Sequence, residues 1–325
     1  MCKGEQLMDT GPDAVLDPHV KALLAMLGAA GRPDLQKVTP NDARHGLRAL
    51  AQAAGFQNVQ TGGIEDGELP GPAGPLPYRI YTPAGAADGP LPGIVYFHGG
   101  GFVLGCLDSH DGLCRQLANA SGCRLVSVCY RLAPEHRFPA AVEDAIAALG
   151  WVSGEAVRLG IDPQRIVVAG DSAGGNLAAV VSQLVSRTGG PKIALQVLFC
   201  PATDGVRDTE SLRAFAEGYL LEAEGIRWFS EHTYHPDADL RDPRISPLHA
   251  ADLSGLPPAH IHTAACDPLR DEGKAYADRL QQSGVEVSYT CHDGMIHYFY
   301  ALGGAIPYAH TAIEQAGAAI RQAVG

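Results

Sequence analysis

Positive charge is scarce in this chain: 24 Lys and Arg stand against 36 Asp and Glu, a formal net charge of -12. A surface of that sign repels phosphate backbones and anionic lipid, so neither a nucleic acid nor a membrane is expected as a partner. Long apolar runs are missing too, and no stretch approaches the roughly 20 residues that a bilayer-spanning helix needs. Met1-Cys2-Lys3-Gly4-Glu5-Gln6-Leu7-Met8-Asp9 lacks the apolar core of a signal peptide, which leads us to expect a cytoplasmic protein. No C-x-x-C pair occurs. Cys114, Cys123, Cys129, Cys200, Cys266 and Cys291 lie mostly in apolar contexts, where a reduced thiol packs as a small hydrophobe. His232 with His235, and His260 with His262, have spacings that bind zinc only with further converging ligands. Surface or core histidine is the better reading of these pairs. No metal site is therefore expected. Internal repeats and low-complexity tracts are also absent.

What remains is a chain of 325 residues, 46% hydrophobic, able to bury one large core. Residues 1 to about 50 read as helical. Val20, Leu23, Leu24 and Leu27 recur at helical spacing, and a second amphipathic stretch from Ala43 to Ala53 follows the helix start Thr39-Pro40-Asn41-Asp42. The Gly/Pro-rich region from Thr61 to Pro77 suits turns between short antiparallel strands, one of them Tyr78 to Tyr81. From residue 93 the pattern alternates. Strands are predicted near 94–97, 125–130, 165–169, 194–200, 259–265 and 285–290, separated by segments of helix length. Strands alternating with helices argue for an α/β fold with a mostly parallel sheet, whose functional residues belong at the C-terminal ends of the strands. More than fifty residues between Cys200 and Ala259 break the alternation. Ser211 to Phe215, Gly218-Tyr219-Leu220 and Ile226 to Phe229 read there as aromatic-rich helices, and an insertion of this length in a compact domain is usually functional.

The most informative stretch is Gly170-Asp171-Ser172-Ala173-Gly174. It follows the β-branched run Arg165 to Ala169 and precedes the small, apolar Gly175 to Val181. In a strand–turn–helix setting, G-x-S-x-G places a serine nucleophile on a strained elbow. Upstream, His98-Gly99-Gly100-Gly101-Phe102 follows a strand. Its glycines allow backbone N–H groups to hold the negative oxygen of a tetrahedral intermediate. Downstream, Asp267-Pro268-Leu269-Arg270-Asp271 and then His297 each follow a strand. Ser, then Asp, then His is the chain order expected of an α/β-hydrolase.

With these motifs the chain resembles bacterial esterases of the hormone-sensitive-lipase family, in the α/β-hydrolase superfamily. Tyr130-Arg131-Leu132-Ala133-Pro134-Glu135-His136, Phe138-Pro139-Ala140-Ala141, Asp242 to Leu248 and Gly255-Leu256-Pro257-Pro258-Ala259 are similar to further signature segments of that family. Three positions depart from it. Cys129 stands where an acidic residue is common, Cys266 precedes the acid, and Tyr298 follows the histidine where glycine is common. The resemblance implies an α/β-hydrolase fold, a mostly parallel central sheet flanked by helices, with a helical cap. It divides the chain into an N-terminal cap segment (1–55), a first core part (56–203), a cap insertion (204–247) and a second core part (248–325).

On this reading Ser172 attacks an ester carbonyl, His297 takes and returns the proton, and Asp267 orients the imidazole. Backbone N–H groups of Gly99, Gly100 and Ala173 form the oxyanion hole. Asp271 is the competitor for the acid, and His292 and His310 are the alternatives for the base. Asp171, and Glu135 with Arg131, are expected to hold loops by ion pairs and hydrogen bonds. Tyr219, Leu220, Trp228, Phe229 and Tyr298 are candidates for the substrate pocket. The implied activity is that of a serine carboxylesterase acting on short- to medium-chain acyl esters. The expected substrate is a small-molecule ester, this chemistry needs no metal or organic cofactor, and association as a homodimer is left open. An amidase or deacetylase with the same triad, or a small-ligand receptor on the same fold, is the alternative. A trypsin-like protease is excluded, because its histidine and aspartate would precede the serine on an all-β fold.

Overall fold

The structure, a computed structural model, describes residues 16–31 and 37–325. The expectation for the N-terminal nine residues lies outside them. Eight strands are β1 (Gly63–Gly71), β2 (Gly74–Thr82), β3 (Leu91–Phe97), β4 (Arg124–Val128), β5 (Ile161–Asp171), β6 (Leu195–Phe199), β7 (Ala259–Cys266) and β8 (Val287–Ile296). They join in one sheet of order β1-β2-β4-β3-β5-β6-β7-β8. β1 and β2 form an antiparallel hairpin, β2 is antiparallel to β4, and every later pairing is parallel.

Alternation along the central strands sends side chains to both faces. In β3, Ile94 and Tyr96 enter one core with Leu113 and Leu117 of α3 (Asp111–Ser121) and Ile313 and Ile320 of α9 (Tyr308–Val324). Val95 and Phe97 enter the other, formed with α4 (Ala140–Gly154), α5 (Ala173–Thr188) and α8 (Arg270–Gln282). Both faces of β4 and β5 are thus covered, which is why they read as continuous apolar runs.

The six strands predicted from residue 93 onward are all present, most of them within a few residues of expectation. β8 runs on to Ile296 rather than ending near 290, so His297 follows it directly. The region from 61 to 77 differs more. It forms two nine-residue strands instead of turns with short strands. β1 lies at the sheet edge, where proline costs no ladder bond. Pro75 and Pro77 of β2 lie beyond its pairing with β4, which begins at Tyr78.

Helix α1 spans Pro18–Ala29 and α2 spans Pro40–Ala54, the latter opened by Thr39, whose side chain accepts from the Asp42 N–H. Arg44 of α2 ties it to the core. It forms a bidentate pair with Glu135 and donates to the carbonyls of Val103 and Ala133. Glu135 therefore pairs with Arg44 rather than with Arg131, which binds Asp144 instead. Between β6 and β7 lie α6 (Glu210–Ala214) and α7 (Ala223–Thr233). Residues 218–220 are not helical as expected, because Gly218 and Leu220 both adopt positive φ (92° and 71°). No helix among the described residues is long and apolar enough to cross a membrane.

Candidate active site

Ser172 occupies the single position between β5 and α5, at φ 53° and ψ -115°, a conformation unfavourable for any residue with a side chain. Its N–H donates to the Phe199 carbonyl at 2.8 Å, and its own carbonyl accepts from Asn176 and Ala202 at 2.9 and 3.1 Å. Those bonds hold the strained turn in place. The flanking glycines are needed because backbone passes where a Cβ would sit. A Cβ on Gly170 would lie 2.3 Å from the Gly174 carbonyl oxygen, and one on Gly174 would lie 1.9 Å from that of Phe97.

Asp267 and His297 meet through strand register. Cys266, the last residue of β7, pairs with Ile296, the last of β8, so the next residues of the two chains emerge side by side. Asp267 and His297 are those residues. His297 Nδ1 donates to Asp267 Oδ2 at 2.7 Å, while Asp267 Oδ1 accepts the Leu269 N–H at 2.8 Å. Both groups are buried. Burial works against protonation of the imidazole, but the charge and hydrogen bond of Asp267 outweigh it and raise the His297 pKa above its usual value. The competitors are engaged elsewhere. Asp271 accepts from the Ser211 N–H at 2.7 Å and pairs with Arg270. His292 lies between His262 and Tyr308, and burial pushes its pKa down to about 4. His310 is exposed, its ring edge-on to Phe56.

The glycine loop after β3 sits against the elbow, and here one expectation changes. The N–H of Gly99 is not available to a substrate, because it donates to Asp171 Oδ1 at 2.9 Å. The same carboxylate accepts from Tyr96 Oη at 2.6 Å and faces His110 Nε2 at 3.3 Å. Burial works against the charge of Asp171, yet His110 and Tyr96 hold its carboxyl below the usual range. Gly100 and Gly101 face the cavity instead, and Gly100 reaches φ +115°, where a side chain would be strained. No described residue accepts from their N–H groups. The N–H of Ala173 opens α5, where intrahelical acceptors run out. Beneath the loop, His98 donates from Nδ1 to the Gly99 carbonyl at 2.8 Å and stacks on Tyr130. Burial lowers its pKa to about 4, so this imidazole is neutral and structural.

Ser172, His297, Gly100, Gly101 and Ala173 all open on one cavity of about 300 Å³. Its roof comes from α2 (Ala43, Leu47, Leu50) and from the segment between β6 and β7 (Leu220, Leu221, Ile226, Phe229).

A family model described as the alpha/beta hydrolase fold matches residues 94–301. The chain belongs to that family, in its hormone-sensitive-lipase-like branch. Carboxylic ester hydrolase LipN of Mycobacterium tuberculosis is 44% identical over 301 residues, covering 89% of this chain and 79% of its own. The arylesterase of Saccharolobus solfataricus is 36% identical, over 87% of this chain and 92% of its own. Among solved structures, an ester hydrolase from the metagenome of Lake Arreo, complexed with a derivative of bipyridine phosphonate, superposes with a TM-score of 0.92. It shares 42% identity over 95% of this chain and 99% of that one.

Within this hydrolase the pocket candidates divide. Leu220, Phe229 and Tyr298 line the cavity, whereas Tyr219 and Trp228 do not. Tyr219 packs edge-on against Phe215, and Trp228 is buried with Val103 and Ala133 against the ring of His232. Aromatic character marked that segment in the sequence, but only the helix phase of α7 decides which ring turns inward. Lining residues from α2, such as Leu47 and Leu50, carry the signal of an apolar helix face, which is equally that of ordinary packing. Tyr298 adopts φ 68°, a conformation that favours glycine, and its hydroxyl donates to the Ser109 carbonyl at 3.2 Å. Cys200, Asp267 and His297 bring potential ligand atoms within 4.8 Å of one another. Burial and the neighbouring Asp267 push the Cys200 thiol far up, so it stays protonated and is a poor metal ligand.

Proposed function

We propose that the protein is a serine carboxylesterase that cleaves short- to medium-chain acyl esters through an acyl-enzyme. The observation that carries this reading is the buried Asp267–His297 pair, which opens on the same cavity as the strained Ser172. Ser172 Oγ adds to the carbonyl carbon while its proton passes to His297 Nε2. The carbonyl oxygen becomes an oxyanion held by the N–H groups of Gly100, Gly101 and Ala173. Collapse expels the alcohol, which takes the proton from His297. Water then repeats the sequence on the acyl-enzyme and frees the acid. Asp267 keeps the imidazole in the tautomer that presents Nε2 and stabilises the imidazolium, without itself being protonated. Each donor to the oxyanion contributes about 2.7–4 kcal/mol in comparable sites.

The segment 1–55 and the insertion 204–247 act together as a cap on the core parts 56–203 and 248–325. Cavity residues from α2 and α7 and the Arg44–Glu135 pair support this division. Free thiols at all seven described cysteines fit a reducing, cytoplasmic setting.

A finite, largely apolar cavity sets the substrate range. Each methylene buried contributes about 0.8 kcal/mol, a gain of roughly fourfold in kcat/KM while space remains. The test is kcat/KM for p-nitrophenyl esters from acetate to palmitate, below and above their aggregation limits. A maximum at short to medium chains is expected. A steady rise to palmitate with activation at an oil–water interface would make the protein a lipase instead.

A further inference from the structure

Arg207 is the only cation among the described residues lining the catalytic cavity. It follows β6 on the loop that also supplies Ala202 and Gly205 to the wall. Its Nε donates to Glu272 Oε2 at 2.6 Å, and its Nη2 lies 3.4 Å from Oε1. No described residue accepts from Nη1. The carboxylate of Glu272 is wholly buried and already committed, since it also receives the N–H groups of Thr203 and Asp204 at 2.8 and 3.3 Å. The Arg207 side chain keeps 13% of its surface exposed, and the residue lines the cavity. Asn176 reaches the same wall. Its Nδ2 donates to the Ala202 and Ile245 carbonyls, both at 2.7 Å, while its Oδ1 has no partner.

An all-hydrocarbon substrate filling this space would offer no acceptor to the unpaired donors of the guanidinium, which is costly. A site whose charged donor awaits an acceptor discriminates against ligands that lack one. We infer that Arg207 is a specificity residue of this cavity, and that the preferred substrate carries a neutral oxygen acceptor, a ketone or second ester carbonyl, on the chain beyond the scissile ester. This rests on the esterase reading above. A carboxylate is not the expected partner. Glu272 already balances the charge of Arg207, and the chain as a whole carries -12.

The test compares p-nitrophenyl esters of oxo acids, with the ketone at successive positions, against partners in which a methyl branch replaces the ketone oxygen. At one position the oxo ester should exceed its branched partner by roughly tenfold in kcat/KM, the worth of a hydrogen bond to a charged group less its desolvation. The double variant Arg207→Met/Glu272→Gln removes the buried pair without leaving a lone charge and should abolish that ratio. Circular dichroism reports its folding. Should it not fold, Arg207→Lys keeps a charge beside Glu272 but loses the planar fork, and must lower the ratio. The inference is overturned if no position favours the ketone, if the preference survives the variants, or if a terminal carboxylate is preferred. Cleavage of branched and oxo esters alike would overturn this inference alone. Cleavage of none would overturn the esterase reading with it.

Discussion

The carboxylate of Asp171 holds the N–H of Gly99 at 2.9 Å, joining the residue before Ser172 to the glycine loop that lines the cavity. The elbow and the glycine loop are thereby one unit. Asp171 touches no reacting atom; it is a positioning residue that aims Gly100 and Gly101 into the cavity. Asp171→Ala should lower kcat on the order of a hundredfold, as the loss of one oxyanion donor does, with a smaller change in KM. It should also lower the melting temperature, because Tyr96 Oη and the Gly99 N–H would be left buried without an acceptor. Steady-state kinetics and thermal melts check both. A kcat loss below about fivefold would mean that the loop is held without this contact.

Asp267→Asn should hurt far more than Asp271→Asn. The amide presents the wrong partner to the imidazole, at a cost of about 10⁴ in kcat in the established precedent. Asp271 anchors the Ser211 backbone and faces Arg270, so its loss should cost less than about tenfold. Kinetics on folded variants decide. Reversed severities would move the acid to Asp271.

Activity should fall on the acid side with the titration of His297, since only the neutral imidazole accepts the serine proton. Asp267 raises the pKa of this group above 6.5, so the acid limb of kcat/KM should have its midpoint above that value. In Asp267→Asn the raising charge is gone and burial, which opposes protonation, remains. The residual activity should then persist to lower pH than in the wild type. A pH profile of both proteins reads this. An acid limb unmoved by the substitution would detach it from His297.

Much of this site was legible in the sequence because its motifs report backbone geometry. Gly170 and Gly174 are demanded by carbonyls that pass where a Cβ would sit, and the chain order of Ser172, Asp267 and His297 follows from strand ends. The parallel strands announced themselves as apolar runs. A run of three glycines does not say which N–H an acid will claim; Asp171, on the neighbouring strand β5 but 72 residues along the chain, claims that of Gly99. The pairing of Glu135 with Arg44 spans 91 residues and leaves no local trace. Arg207 leaves no local trace either, since its partner Glu272 lies on α8 and an isolated arginine in a loop reads as surface.

The account turns on Ser172 as the nucleophile, and covalent labelling tests that most directly. An organophosphate should inactivate the protein at one equivalent per chain, with the phosphoryl group found on Ser172 by peptide mass mapping. Ser172→Ala should fold, take up no label and lose up to about 10⁶ in kcat toward esters. Label on another residue, or ester turnover by Ser172→Ala near that of the wild type, would contradict the account.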